Sequence, residues 1–519
     1  MSSGATFTLV TNDGRMDQIL TASNLLRGNI NDYMARNQAA GKADINPTLP
    51  DLERSHVLHV NAHFKPYVAI ALEYYKVSAN NVTLGTNIQL SLPQYGDFIG
   101  DMVVNIKVSA PTTSFSGTAV DASDCVLFKH CDYPGERIIA STSMEVNSNP
   151  LDSYTNDLYV LHRQFRVGAD KIAGWNRSMG QETPEVATYI VPATTSVTTA
   201  PNTARTKFAW YNGFQTYKQT HPGLDLWIPL LYWFNMDPRI AFPSVSVPYG
   251  QRFMNFTLNT VNNIYRAIIN PAATSPLTNP VLSTPQVTSF DLYINNLFVL
   301  PEVHNIFIDR VAFTLISVHR RQTNPINQSS GSIHLVQLKW PITEMYIGFQ
   351  PSANVTTNSS ISQTGNQSSI VDPNMENWHR YGVVTDTLAN AAALTSGAVT
   401  SYNLKTTSSH ITTIKLVAHG ITLFNEFPAA FYNQYIPFQY GGQLINTPTD
   451  PGLFMVSFCL YPGEFQPSGH FNASRAREFY LYYTSNLIDS SNTGVALVIA
   501  NCRNFLLITE GSATIRYST

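Results

Sequence analysis

Charged residues are scarce in this sequence. They make up 13% of the 519 residues, about half of the roughly 25% that is usual in soluble domains. Lys and Arg number 31 against 34 Asp and Glu, which gives a formal net charge of −3, and the basic residues form no run. The chain therefore lacks the electrostatic pattern of a nucleic-acid-binding protein, and we expect no direct nucleic-acid partner. A polar surface with few charges instead favours broad contacts between protein surfaces.

Cysteine and long apolar segments are scarce too. The four cysteines are widely spaced: Cys125, Cys131, Cys459 and Cys502. Their spacing is not that of a zinc site, so we expect reduced, mostly buried thiols in a cytosolic setting. The first ten residues lack the basic and apolar regions of a signal peptide, and apolar runs such as 495–500 are far shorter than a spanning helix of roughly 20 residues. We therefore expect neither a cleaved leader nor a membrane-spanning helix.

The common catalytic motifs are missing as well. The sequence has no Walker A loop, no G-x-G-x-x-G fingerprint, no G-x-S-x-G elbow and no H-E-x-x-H helix. The densest histidine cluster is His56, His59 and His63, but on a strand only His59 and His63 share a face. Hydrogen-bonded strand histidines are therefore favoured over a metal site.

Two groups of acidic residues resemble the acid/base pair of a β-sandwich glycosidase. They are Asp97 with Asp101, and Glu302 with His304 and Asp309. Spacing alone does not bring either pair of carboxylates face to face, so roles in turns and at strand ends are favoured.

Arg475 and Arg477 next to Glu478 are too few for a phosphate-binding track, and they favour a salt-bridged strand or an interface. Taken together, the residues predict no catalytic group, no cofactor and no metal ligand.

Alternation of apolar residues predicts many short β-strands and few helices. The alternating sets are Ile88, Leu90 and Leu92; Met102, Val104, Ile106 and Val108; Val311, Phe313 and Leu315; and Val336, Leu338 and Trp340. Turn residues punctuate these runs, and Tyr133-Pro-Gly-Glu136 predicts a type II turn. The best helical pattern lies within 16–30, so we expect residues 1–50 to form an arm that docks elsewhere. The fold class is all-β, a sandwich or a barrel.

The composition changes at residues 270–285, which contain four prolines and no charged residue. Such a segment is stiff and extended, and it divides the chain into two nearly equal β-rich halves. The halves echo each other weakly, since 247–251 (VPYGQ) resembles 436–442 (IPFQYGG). This similarity favours a duplicated domain only modestly.

Two aromatic segments, 226–234 and 479–483, are apolar on both faces of a strand. A strand of that kind can be covered on its second side by another domain or another subunit, but a purely internal core role is slightly favoured.

A set of longer motifs follows one another along almost the whole chain. They are NAHFKPYV (61–68), PQYGDF (93–98), YPGER (133–137), WFN (233–235) with PSVSVP (243–248), LYINNLFV (292–299) with PEVHN (301–305), SGH (468–470), SRAREFY (474–480) and GSATIRYST (511–519). In this order they resemble the major capsid proteins of nucleocytoplasmic large DNA viruses, in particular those of the African swine fever virus group.

The resemblance implies an all-β double jelly roll with an N-terminal arm. The expected division is an arm at 1–50 facing the capsid interior, a first jelly roll at 51–269, a Pro-rich linker at 270–288 and a second jelly roll at 289–519. Three chains would form a pseudo-hexameric capsomer that tiles an icosahedral shell assembled in the host cytoplasm. The arm would contact neighbouring capsomers, minor capsid proteins or an internal membrane.

Segment 183–220 looks shorter than the corresponding part of the swine fever virus proteins. We therefore do not assign to this chain any role of an outer loop of those proteins. Three alternatives stay open from the residues. They are a minor or vertex jelly-roll capsid protein, a jelly-roll carbohydrate-binding protein and a β-sandwich glycosidase.

Overall fold

The computed structural model describes residues 70–114, 126–182, 188–191, 206–209, 221–248, 250–269, 281–283, 285–309, 313–356, 373–388, 403–509 and 511–517, with 35, 215 and 218. Strands dominate, and in the first half eight of them are the main strands of two sheets. These are β1 (Ile70–Ala79), β2 (Asn87–Ser91), β3 (Phe98–Val108), β4 (Ile139–Val146), β5 (Asn149–Thr155), β6 (Leu224–Pro229), β7 (Arg252–Leu258) and β8 (Val287–Val299). The strand orders are β1-β8-β3-β6 and β2-β7-β4-β5, and every pairing is antiparallel.

The second half repeats this arrangement. Its strands are β9 (Phe313–Ile326), β10 (Ser330–His334), β11 (Pro341–Pro351), β12 (Ile411–Ala418), β13 (Ile421–Pro428), β14 (Leu453–Ser457), β15 (Phe479–Ser485) and β16 (Gly494–Thr509). Their orders are β9-β16-β11-β14 and β10-β15-β12-β13, which match the first half strand for strand. Each half is a jelly roll of two packed sheets, so the expected double jelly roll is confirmed.

Helices are short and lie in the connections between strands. They are α1 (Pro134–Ile138), α2 (Asp157–Phe165), α3 (Ile172–Ser178), α4 (Trp233–Met236), α5 (Val261–Ile264), α6 (Pro301–Asp309), α7 (Pro373–Glu376) and α8 (Ile436–Tyr440), with a π-helical turn at Phe431–Tyr435 and 3₁₀ turns at Pro238–Ile240, Ser244–Ser246, Ser352–Asn354 and Ala473–Arg475. In the described part of the chain, no helix is long and apolar enough to cross a membrane.

Short strands complete the fold. Phe242–Pro243 pairs with β3, Phe471–Asn472 with β11 and Ser512–Ile515 with β16, while four ribbons pair Val126–His130 with Tyr265–Ile269, Thr112–Ser114 with Val281–Ser283, Thr188–Val191 with Thr206–Ala209, and Val383–Leu388 with Asn403–Ser408.

The core follows the alternation of side chains. On β3 the residues Met102, Val104 and Ile106 are fully buried, and on β2 Ile88 and Leu90 point into the same core. Because successive side chains of a strand point to opposite faces, the apolar set of each strand meets that of the facing sheet. The strand predictions for these two segments are confirmed.

The expected boundary between the halves is wrong by about ten residues. β8 pairs with β1 on one side and with β3 on the other, so residues 289–299 belong to the first jelly roll. Phe290, Leu292 and Ile294 on β8 are buried in that core, so the strand is part of the first jelly roll. The first jelly roll therefore ends near Val299, and α6 leads to the second. Within the expected linker, Val281–Ser283 forms a strand.

Three local predictions are also wrong. Segment 336–340 is a loop with Val336 exposed, because it turns the chain from β10 into β11. On β9 the buried face carries Ile316 and Val318, whereas Phe313 is 60% exposed. Tyr133 has a left-handed backbone (φ 49°) and caps α1, so this segment begins a helix and not a type II turn.

Residues 226–234 do not form one long strand either, because β6 ends at Pro229 and α4 follows. Several predictions lie outside the described residues. They concern the arm at 1–50 apart from residue 35, the histidines at 56, 59 and 63, Cys125 and the linker at 270–280.

Candidate functional site: the junction of the two jelly rolls

A buried ion pair joins the two jelly rolls. Arg166, directly after α2, donates to the carboxylate of Glu344 on β11. The same carboxylate accepts hydrogen bonds from Asn501 Nδ2 (3.0 Å), Tyr346 Oη (3.1 Å) and the Gly463 main-chain N–H (2.9 Å). Burial alone would raise the pKa of Glu344, but the Arg166 charge and these donors hold it below the ordinary value. The carboxylate is therefore ionised, paired and saturated with hydrogen bonds.

Helix α2 makes further contacts around this pair. The ring of Phe165 lies 4.8 Å from that of Tyr346. Gln164 Oε1 accepts from the main-chain N–H and the hydroxyl of Thr449, both at 2.9 Å. The Asn446 N–H donates to the Phe165 carbonyl at 2.7 Å. The last turn of α2 thus belongs to the surface of the second jelly roll as much as to the first.

A segment of the second jelly roll reaches back in the opposite direction. At 373–381, Glu376 pairs with Lys129 at 2.6 Å, and both side chains are almost completely buried. Arg137 donates to the carbonyl oxygen and to the side-chain oxygen of Asn374, each at 2.6 Å. Such a two-pronged contact fixes the segment in orientation as well as in position.

Asp132 lies beside this reciprocal contact. Its carbonyl oxygen accepts from Trp378 Nε1 (2.7 Å) and its carboxylate accepts from the Gln215 N–H (2.7 Å). Burial raises the pKa of Asp132 to about 7, although the Lys129 ammonium acts in the other direction. The junction therefore contains a buried carboxyl group whose pKa is raised by its surroundings.

Two further polar contacts cross the junction, of which only the first lies near solvent. Arg321 on β9 pairs with Asp157 at the start of α2 (2.6 Å), and the His319 ring lies 3.6 Å from the Asp152 carboxylate. Together with the buried pairs, these contacts hold the two jelly rolls of one chain as a single unit.

The YPGE motif at 133–136 also has a structural explanation. Glu136 is fully buried and accepts from Arg163 Nε (2.7 Å) and Trp175 Nε1 (2.6 Å), while burial raises its pKa. The Arg163 guanidinium stacks on the Tyr133 ring at 3.8 Å. The motif thus anchors α2, and α2 carries the residues that contact the second jelly roll.

Each jelly roll also exposes a group of large apolar side chains. The first patch lies on the outer face of the β1-β8-β3-β6 sheet and consists of Ile70, Leu72, Tyr74 and Trp227, of which Leu72 is 55% exposed. The second patch lies around α8 and consists of Phe427, Tyr435, Phe438, Tyr440 and Leu444, of which Phe438 is 79% exposed. Exposed apolar groups of this extent are typical of interaction surfaces.

The acidic residues considered as a glycosidase pair serve the sheet instead. Asp97 accepts from the Val299 N–H at 2.9 Å. Asp101 accepts from Tyr74 Oη at 3.0 Å and from Asn295 Nδ2 at 2.7 Å. His304, Glu302 and Asp309 all lie on α6, and the structure does not describe the side chains of Glu302 and Asp309.

The segment from Arg475 to Glu478 is hydrogen-bonded to His419 through its main chain. The Arg477 N–H donates to His419 Nε2 (3.3 Å), and the Glu478 carbonyl accepts from the His419 N–H (2.8 Å). Cys131 and Cys502 are buried free thiols, and Cys459 is a half-buried one. Among the residues with described side chains, no group of three or more His, Cys, Asp or Glu is placed to hold a metal ion.

Sequence reasoning missed the two segments that build the junction, α2 and 373–381. The available signal was the aromatic density of 378–381 (WHRY) between two polar stretches. A buried segment inside a long polar connection indicates a docking contact, but its partners, 237 to 247 residues away, have no local signature.

The comparisons with known proteins all concern viral capsids. The family model described as "Major capsid protein N-terminus" matches residues 61–299, and that described as "Large eukaryotic DNA virus major capsid protein" matches residues 297–514. The two matches meet where β8 ends.

Among individual proteins, a "Major capsid protein" of African swine fever virus (isolate Pig/Kenya/KEN-50/1950) is 32% identical, with all of both chains covered. The "Hexon protein p72" of isolate Tick/Malawi/Lil 20-1/1983 shares the same identity and coverage. Among solved structures, the Faustovirus major capsid protein superposes with a TM-score of 0.73 at 31% identity, covering 96% of this chain and all of its own. The capsid model of the PBCV-1 virus, at 16% identity and a TM-score of 0.59, shares the fold.

Proposed function

Because the chain belongs to the major capsid proteins of large eukaryotic DNA viruses, we propose that three copies of it form a pseudo-hexameric capsomer. The protein is a structural component of the virion capsid, and its function is self-association and contact with neighbouring capsomers. The trimeric state is our own inference and goes beyond this role.

The observation that carries the proposal is the repeated strand order within one rigid unit. Two jelly rolls of the same topology, fixed to each other by the Arg166–Glu344 and Lys129–Glu376 pairs, supply two similar lobes per chain. Three such chains around a threefold axis supply six lobes and a nearly hexagonal outline. The name "Hexon protein" of a relative supports the same reading.

The two exposed patches support a particular kind of contact. A trimer of this type closes when one surface of each chain meets a different surface of the next chain. The first patch and the second patch lie on different jelly rolls, and both are rich in the aromatic side chains that are enriched in interface cores. We therefore propose that the first patch of one chain packs against the second patch of its neighbour.

Solution mass tests the trimer. Light scattering on the purified chain should give about 170 kDa, three times the 57.5 kDa of one chain. Phe438→Ser combined with Leu444→Ser should yield monomers, whereas Tyr482→Ser, which removes a 40% exposed aromatic on β15 outside both patches, should leave the trimer intact. A wild-type monomer would refute the proposal, and an intact trimer in the double variant would refute the assigned surfaces.

Further parts of the proposal concern partners and place. We propose that residues 1–50 form an arm facing the capsid interior, that it contacts minor capsid proteins or an internal membrane, and that assembly occurs in the host cytoplasm. We also propose that the protein has no catalytic activity and no direct nucleic-acid contact. Deleting 1–40 should leave trimers intact but prevent shells, and loss of the trimers would place the arm in the capsomer itself.

A further inference from the structure

A cleft of about 950 Å³ lies where the two jelly rolls of one chain face each other. One wall is the outer face of the β2-β7-β4-β5 sheet. The opposite wall combines β9, the loop at 336–340, Ser474 and the segment 516–517. Of the residues described above at the junction, His319 and Arg321 line this cleft and the buried ion pairs do not.

The wall formed by the first jelly roll is a regular grid of small polar side chains. Its members are Ser141 and Ser143 on β4, Ser153 and Thr155 on β5, and Asn255 and Thr257 on β7. Strand register places Thr257, Ser141 and Thr155 in one row across the sheet and Asn255, Ser143 and Ser153 in the next. Hydroxyl and amide groups in such rows donate hydrogen bonds to a ligand without adding negative charge.

The facing wall is cationic. Three basic residues line it without an ion pair to any described residue: Arg320, Lys339 and Arg516. His319 and Arg321 also line the cleft but already face Asp152 and Asp157. No carboxylate lines the cleft itself, and although the buried Asp152 behind this wall interacts with Arg320, the wall carries a net positive charge.

Aromatic rings hold two of these cations in place. The Arg320 guanidinium lies 3.4 Å from the centre of the Trp340 ring, and its Nε has no hydrogen-bond partner in the described structure. The Arg516 guanidinium lies over Phe505 (5.8 Å) and Tyr517 (5.7 Å). Stacking on Trp340 restrains the plane of the Arg320 guanidinium, and the looser contacts with Phe505 and Tyr517 restrict Arg516, so less side-chain entropy is lost when an anion binds.

We propose that this cleft binds a small polyanion carrying several phosphate groups and that the ligand bridges the two jelly rolls. Planar guanidinium groups match the geometry of phosphate oxygens, and several separated cations favour a ligand with several anionic groups over a single ion. The hydroxyl grid supplies donors for the remaining phosphate oxygens. Because both walls belong to one chain, the proposal does not depend on the oligomeric state.

Calorimetric titration of the full chain tests the proposal with two probes, inositol hexakisphosphate and inorganic tripolyphosphate, and with uncharged inositol as the matched control. Both polyanions should bind and raise the melting temperature by several degrees, while inositol should do neither. Arg320→Gln and Arg516→Gln should each weaken binding by about tenfold or more, whereas Lys415→Gln, a lysine on β12 away from the cleft, should not. Binding should weaken further as the salt concentration rises.

Two results would overturn the proposal. One is the absence of binding by either probe at millimolar concentration and low salt. The other is equal affinity in all three variants, which would indicate diffuse attraction to the surface. Arg516 is exposed, so its replacement keeps the test valid if Arg320→Gln does not fold.

Discussion

Replacing Glu344 with Gln should strongly weaken the junction between the jelly rolls. The change keeps the shape of the side chain but removes the charge that Arg166 faces. It also turns one acceptor oxygen into a donor: Glu344 Oε1 accepts from Arg166, Tyr346 and Asn501, and Oε2 accepts from the Gly463 N–H. Whichever oxygen becomes an NH₂ group, at least one buried donor then meets another donor.

The size of the effect follows from burial. Glu344 is fully buried and the Arg166 side chain is three-quarters buried, so neither charge is well solvated after its partner is lost. Removing one member of a buried pair costs about 3–5 kcal/mol, a large fraction of the roughly 5–15 kcal/mol that stabilises a folded domain. The pKa of Glu344 is lowered in the folded state, so its stabilising contribution is present above the ordinary carboxyl pKa and is lost as pH falls through the lowered value. The Gln variant should lack this acid dependence.

Urea unfolding followed by tryptophan fluorescence and circular dichroism measures the loss. The expected signs are a lower midpoint and two separate transitions, because the jelly rolls would no longer unfold together. Asp157→Asn is the matched control: it breaks the Asp157–Arg321 pair of the same junction, but those side chains are 24% and 38% exposed. It should therefore cost less than about 1 kcal/mol.

The double variant Arg166→Met, Glu344→Gln sharpens the test. It removes both charges, so it should be less destabilised than Glu344→Gln alone. A loss below about 1 kcal/mol in the single variant, or a double variant that is worse by the full sum of two single losses, would refute the reasoning.

Three further predictions concern other contacts. Lys129→Met leaves the Glu376 carboxylate buried without its cation and should cost about 3 kcal/mol in urea unfolding, part of which Glu376→Gln should restore. Gly452→Ala places a Cβ 2.2 Å from a main-chain carbonyl carbon and should cost more than about 2 kcal/mol, whereas Gly174→Ala, which meets nothing within 4 Å on α3, should be neutral or stabilising. Burial lowers the pKa of His410 from 6.5 to about 4, so neutral His410 contributes stability above pH 6.5 that is lost as pH falls. Between pH 7.5 and 5.0 the wild type should therefore lose about 2 kcal/mol more than His410→Gln, and equal losses would contradict this.

Much of the fold could be predicted from local patterns. The alternation at 88–92 and 102–108 located β2 and β3 correctly because the inner face of a sandwich strand is apolar whatever its neighbours are. At 313–315 the same logic selected the wrong face, since Phe313 sits at the exposed start of β9. Proline density suggested the division at 270–288, but the core position of Phe290 on β8 was decided by pairing with β1 and β3.

The sequence by itself determined the fold class, the family and the absence of the usual catalytic motifs, because strand periodicity and ordered motifs are local properties of the chain. Only the tertiary structure decided which charges meet. Arg166 and Glu344 are 178 residues apart, and Lys129 and Glu376 are 247 apart. The cationic wall of the cleft and its hydroxyl grid likewise come from strands that are distant in sequence. The low charge content of the sequence also did not show that several of its few charges form buried pairs where the two jelly rolls meet.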